Sequence, residues 1–201
     1  MDRRITLVGV TSLVIVALVI ALNIWLGKPE PLNGTAYAEP YPAAPDFQLK
    51  NAVNDTVSLE DYKGKIVLLF FGYTYCPDVC PTTLAELKLA MDLLGEDASQ
   101  VQVIFISVDP GRDTSEKMQK FVERFYPTFI GLSGSTEELT PIWDHYDVYR
   151  ELVEGTSPTN YIINHTARVV LVDQAGNMRL SYGFQTPSKN IASDIQSLLG
   201  K

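Results

Sequence analysis

The sequence predicts an α/β domain, a central mixed sheet flanked by helices, and three observations carry that prediction. Two continuous apolar runs, IVLLFFG at 66–72 and VQVIFISV at 101–108, read as strands buried on both faces. Segments with apolar residues at helical spacing separate the strand-like runs. Towards the C-terminus, ARVVLVDQAGNMRLSYG (167–183) sets two β-prone runs around Gln174-Ala175-Gly176-Asn177, the pattern of a hairpin.

In chain order, residues 5–26, ITLVGVTSLVIVALVIALNIWL, come first. These 22 residues carry no charge. At about 1.5 Å rise per residue they span roughly 33 Å, against a bilayer core of about 30 Å. Arg3 and Arg4 precede the run, which fits a cytoplasmic N-terminus and an exported remainder. Trp25 fits an interfacial aromatic. The rival reading is a signal peptide cleaved at Ala36-Tyr37-Ala38, but such peptides have apolar cores of roughly 7–15 residues. A retained transmembrane helix over 5–26 is therefore the expectation for segment 1–26. Residues 27–44 hold four prolines and two glycines without apolar periodicity, and read as a partly extended linker. The globular domain is expected over 45–201.

Within that domain, FQLK (47–50) and TVSL (56–59) are short β-prone stretches ahead of the first buried strand. After the cysteines, Pro81 suits a first helical turn, where its missing N–H costs nothing. Leu84, Leu87, Met91 and Leu94 continue at helical spacing to Gly95. The second buried run is closed by Asp109-Pro110-Gly111. Over 114–126, Met118, Phe121, Val122 and Phe125 form one helical face. A short strand near 128–131, a helix near 136–146, a strand at YIIN (161–164), the hairpin and a terminal helix at 187–199 complete the reading.

With 201 residues the chain suits one domain and an appendage. Its net charge of −8, with no basic cluster, argues against a nucleic-acid partner. In α/β sheets ligands gather beyond the carboxyl ends of the parallel strands, where Cys76 and Asp109 are placed.

The two cysteines of the chain, Cys76 and Cys80, lie in FFGYTYCPDVCPTTL (70–84). A structural disulfide, an electron-exchanging dithiol and half a metal site compete for them. A bridge closing so short a loop restrains little of the unfolded chain. Cys80, directly before Pro81, lies near a helix N-terminus, where free N–H groups favour a thiolate. If the intervening turn is helical, the four-residue spacing puts both sulfurs on one face. Reductases of the familiar kind have two intervening residues; this chain has three. A metal would need further ligands, and the histidines are His145 and His165. They stand 20 apart, too far for the usual Cys2His2 zinc spacing. Two thiolates and one imidazole suit copper, which accepts low coordination and prefers sulfur. His165 ends an apolar strand, whereas His145 lies at a polar helix end. Composition alone does not choose between them.

The segments DYKGK (61–65), FFGYTYCPDVCPTTL (70–84), SVDPGRDT (107–114) and YIINHTARVVLVDQAGN (161–177) together resemble the Sco/SenC family. These are membrane-anchored, thioredoxin-fold proteins that assemble the copper centre of cytochrome c oxidase. The resemblance implies that Cys76, Cys80 and His165 hold copper, as Cu(I) with these three and as Cu(II) with a weaker addition. Asp109 is the candidate auxiliary group, with a turn-capping role as its alternative. Asp78 is a second candidate that could tune the thiolates, against a role as a solvated turn residue. The family usually has an acidic residue before the histidine; here it is Asn164.

Four functions follow as expectations. The first is a copper metallochaperone, its partners the copper-site subunit of the oxidase and a copper-donating chaperone. It would be held in the cytoplasmic membrane with its domain on the extracytoplasmic side. The second is a thiol–disulfide oxidoreductase that reduces the cysteines of that subunit, using Cys76 and Cys80 as its redox pair. The third is a copper or redox sensor. The fourth, a peroxidase, is disfavoured because the threonine stands two residues before Cys76 instead of three.

Overall fold

The computed structural model describes residues 13, 15–20, 32–157 and 160–200. The chain divides into two units, Met1–Pro31 and Leu32–Lys201. In the first, residues 13 and 15–20 are helical. Among the described residues no helix is long and apolar enough to cross a membrane. The span expected at 5–26 falls largely outside those residues.

The second unit contains ten strands among its described residues. In chain order they are β1 (Thr35–Ala36), β2 (Gln48–Lys50), β3 (Thr56–Ser58), β4 (Ile66–Gly72), β5 (Val101–Ser107), β6 (Ile130–Leu132), β7 (Arg150–Ser157), β8 (Asn160–His165), β9 (Val169–Val172) and β10 (Met178–Tyr182). Its helices are α1 (Val79–Leu94), α2 (Ser115–Val122), α3 (Thr136–His145) and α4 (Ser188–Leu198). Six strands form one mixed sheet in the order β1-β10-β9-β4-β5-β6, while β2–β3 and β7–β8 are separate two-stranded ladders. The arrangement is an α/β, thioredoxin-like fold.

β4 and β5 run parallel in register from Ile66↔Val101 to Gly72↔Ser107. Every residue of both strands is buried, because the sheet is covered on both faces. Apolar contact fixes this centre: Phe70 stacks on Phe105 with ring centroids 5.3 Å apart. The crossovers are helical because their sequences carry helical faces and start signals. Thr114 caps α2 by accepting from the Lys117 N–H. Ser135 and Glu138 form a capping box at the start of α3. Gly95, at positive φ, ends α1.

Two features differ from the sequence expectation. Residues 33–44, expected within a linker, dock on the domain. β1 pairs with β10, Ala43 bridges Asn177, and the buried Asp194 of α4 accepts from the Asn33 and Gly34 main-chain N–H groups at 2.8 Å. A two-residue strand has no sequence signature of its own; the partner edge of β10 creates it. The second is β7, whose sequence RELVEGTS has no clean alternation. It forms because β8 pairs with it, from Arg150↔His165 to Ser157↔Asn160.

The topology places three chain segments at one edge. β4 and β5, being parallel, both end there, delivering the cysteine loop after Gly72 and the Asp109 turn after Ser107. β9 is antiparallel to β4, with Val169 opposite Phe70, so it begins at that same edge. His165 precedes it by four residues.

Candidate metal centre

After β4 the chain turns, and α1 starts at Val79 with Asp78 as its N-cap. Cys76 thus precedes the helix and Cys80 lies in its first turn, the two sulfurs facing each other across that turn. Cys76 is half-buried, whereas Cys80 is fully buried, and both thiols are free. The Cys80 main-chain N–H donates to Cys76 Sγ at 3.4 Å. His165 Nε2 lies 3.6 Å from Cys80 Sγ. Its Nδ1 lies 3.1 Å from the Thr166 carbonyl oxygen, which only accepts, so Nδ1 donates there and Nε2 is the nitrogen turned to the sulfurs. Tyr73 meets the imidazole edge-on at 5.7 Å and accepts the Ile163 N–H through its hydroxyl.

The donor atoms of Cys76, Cys80 and His165 all lie within 4.8 Å of one another. Metal–sulfur and metal–nitrogen bonds of about 2.0–2.3 Å would close on one ion with only small side-chain adjustment. Two sulfurs and one imidazole form a soft set suited to copper or zinc, with room for an exchanging ligand at the open side. There a shallow cavity of about 200 Å³ is lined by Cys76, Pro77, Asp78, Ile162 and His165.

The electrostatics reverse one expectation. The helix start was expected to favour a thiolate at Cys80. Instead burial pushes the Cys80 thiol well up, and the Cys76 charge adds to this. Cys76 is the thiolate, lowered to about 4 by the hydrogen bond from the Cys80 side chain, against the opposing effect of burial, with the His165 side chain and the main-chain N–H groups of Cys80 and Asp78 adding to it. The helix N-terminus does act on a sulfur, but on the one ahead of it. Cys80 reaches inward because residue 72 is glycine: a Cβ there would stand 2.6 Å from both Cys80 Sγ and the Phe105 ring.

Neither auxiliary carboxylate belongs to the donor cluster. Asp109 is buried, ion-paired with Arg112 and accepting the Tyr161 hydroxyl at 2.6 Å. Asp78 is exposed and accepts from the Thr82 hydroxyl at 3.1 Å. His145 is exposed at the end of α3, and Asn164 is exposed beside His165 with Glu151 opposite it on β7. Sequence reasoning missed Arg112, Tyr161 and Asp113. Asp113 is buried under the loop and holds Thr74 through its main-chain N–H and hydroxyl, and Ser107 through its hydroxyl. The DPGRDT stretch was the available signal, since a buried turn seldom carries three charged residues without partners.

A thioredoxin-like domain with two cysteines and a histidine converging at the carboxyl edge of its sheet is the class that this fold and site define. The sequence model of the SCO1/SenC family matches residues 35–200, and the chain belongs to that family. It is 31% identical over 176 residues to an SCO2-like protein of Rickettsia conorii, covering 86% of each chain. The solution structure of apo Sco1 from Thermus thermophilus matches with a TM-score of 0.76 and 37% identity, over 86% of this chain and 99% of that one. The structure of Bradyrhizobium japonicum ScoI with copper bound matches with a TM-score of 0.71 and 37% identity, over 77% of this chain and 98% of that one.

Proposed function

We propose that this protein is a copper metallochaperone that binds copper through Cys76, Cys80 and His165 and helps to assemble the copper centre of cytochrome c oxidase. One observation carries the reading: three soft donors converge within 4.8 Å, and the ionised one, Cys76, is half-exposed. Copper is the cargo. Cu(I) is satisfied by three such ligands, and a site with an open side lets an incoming thiolate take over the ion by stepwise exchange. Copper in the relatives' structures and membership of the family support the choice of metal. The uncharged run at 5–26 would hold the protein in the cytoplasmic membrane with the domain outside the cytoplasm, facing the copper-site subunit of the oxidase.

The test is copper stoichiometry and X-ray absorption on the full chain, wild type beside His165→Ala. Two sulfurs and one nitrogen at one copper per chain, with the nitrogen lost in the variant, are expected. No copper on the reduced wild type would sink the reading.

A second activity has its own observation. A thiolate at Cys76 backed by a buried, protonated Cys80 is the asymmetry that a thiol–disulfide oxidoreductase uses, one sulfur attacking and the other resolving. His165→Ala separates the two roles, because reduction of a target disulfide should survive it while copper binding should not.

A further inference from the structure

His165 does not stand on the central sheet. It ends β8, which with β7 forms a ladder separate from the six-stranded sheet that leads into the cysteine loop. Among the described residues no strand pairing therefore sets the distance between the histidine and the sulfurs. Other contacts must do so, and they lie on the inward face of β8. Residues 161, 163 and 165 share that face by strand alternation, and burial agrees: Ile162 and Asn164 are exposed between them.

Tyr161 is the held end of this face. The Arg112 guanidinium lies 3.5 Å from the centroid of the Tyr161 ring, and its Nη1 donates to the Tyr161 carbonyl at 3.0 Å. Arg112 Nε is paired with Asp109, whose other oxygen accepts the Tyr161 hydroxyl. The guanidinium also lies 4.7 Å from the centroid of the ring of Tyr75, the residue before Cys76. Gly111 leaves the room, since a Cβ there would stand 3.2 Å from the Tyr161 hydroxyl. Only 11% of the Arg112 side chain is exposed, so these contacts are screened little by water.

We propose that Arg112 is a positioning residue: by gripping Tyr161 on the histidine strand and Tyr75 on the cysteine loop, it sets where His165 stands relative to Cys76 and Cys80. Tyr161 and His165 are four residues apart on one strand, roughly 13 Å, so a tilt at the Tyr161 end is delivered to the imidazole. Losing the guanidinium also leaves Asp109 buried without its counter-charge, which loosens the same end of β8. The metal half of this inference rests on the copper reading; the positioning half does not.

The experiment compares wild type, Arg112→Met, Arg112→Lys and a remote core variant, Ile195→Val, as full chains. Amide hydrogen exchange is measured without metal, and copper affinity and X-ray absorption with it. Arg112→Met keeps much of the side-chain volume. It should speed exchange over Asn160–His165 about tenfold or more, leave β4 and β5 as in wild type, and weaken copper binding about 10–100-fold with nitrogen lost and both sulfurs kept. Arg112→Lys keeps the charge without the planar fork and should fall between the two. Ile195→Val should leave the exchange of β8 and the nitrogen ligand unchanged. Wild-type exchange of β8 in Arg112→Met, or acceleration spread evenly over β4, β5 and β8, would overturn the positioning role. If Arg112→Met does not fold, Tyr161→Phe, which removes only the hydroxyl bond to Asp109, is judged by the same criteria. A wild type that binds no copper would overturn the proposed function, and exchange would still decide on Arg112.

Discussion

At the scale of single residues the informative contrast is between two cysteines a turn apart. Cys76 takes main-chain N–H donors at the helix start and keeps access to water; Cys80 is packed against Gly72 and Phe105 and keeps its proton. With its thiol lowered to about 4, Cys76 is already ionised at neutral pH, so raising pH adds no further thiolate there. Alkylation of the reduced, metal-free protein by iodoacetamide should therefore label Cys76 at a rate nearly flat between pH 6 and 8. An ordinary thiol would gain about tenfold per unit over that range. Peptide mapping should find Cys80 unlabelled until the fold opens. A tenfold rise per pH unit at Cys76, or equal labelling of both, would refute this assignment. The pair and its spacing were legible in the sequence; which sulfur ionises was not, because it depends on which one turns inward.

At the scale of elements, strands and helices with their own apolar pattern were legible, and those made by a neighbour were not. β4, β5 and the four helices announce themselves through continuous or periodic apolar residues and through caps such as Thr114 and Ser135. β1 and β7 exist because of β10 and β8, and the Asp109–Tyr161 contact joins residues 52 apart. The docked segment ahead of Pro45 depends on one side chain. Asp194 accepts from Asn33 twice, from Gly34 and from the Tyr182 hydroxyl, so Asp194→Ala strands the buried Tyr182 hydroxyl and the part-buried donors of Asn33 and Gly34 together. Loss of about 2–3 kcal/mol in urea unfolding is expected, with earlier proteolytic cleavage around residues 33–38. Unchanged cleavage there would mean that β1 alone holds the segment. At the metal edge, Gly72→Ala would drive a methyl group into Cys80 Sγ and Phe105, both fully buried. It should cost about 1–3 kcal/mol in the same measurement, and a loss below about 0.5 kcal/mol would show that the strand end yields.

At the scale of the whole molecule, the site joins parts that the backbone leaves separate. Cys76 and Cys80 belong to the end of the sheet and the start of α1, while His165 belongs to a ladder of its own, 85 residues beyond Cys80. A metal held by the cysteines alone would close a loop of only a few residues. With His165 included it pins the β7–β8 ladder to the sheet. Binding to the folded state should therefore raise the melting temperature as well as occupy the site. At free copper about a hundredfold above Kd the stabilisation is about 2.7 kcal/mol, which for a domain of this size is a rise of roughly 5–11 °C. At the same free copper, His165→Ala binds more weakly and should show a clearly smaller rise by differential scanning calorimetry. Hydrogen exchange over β7 and β8 should slow on copper binding in wild type and stay unchanged in the variant. An equal rise in both proteins, with β8 unprotected in wild type, would mean that copper sits on the cysteines alone. The histidine strand would then serve the partner's side of the exchange instead of the resting site.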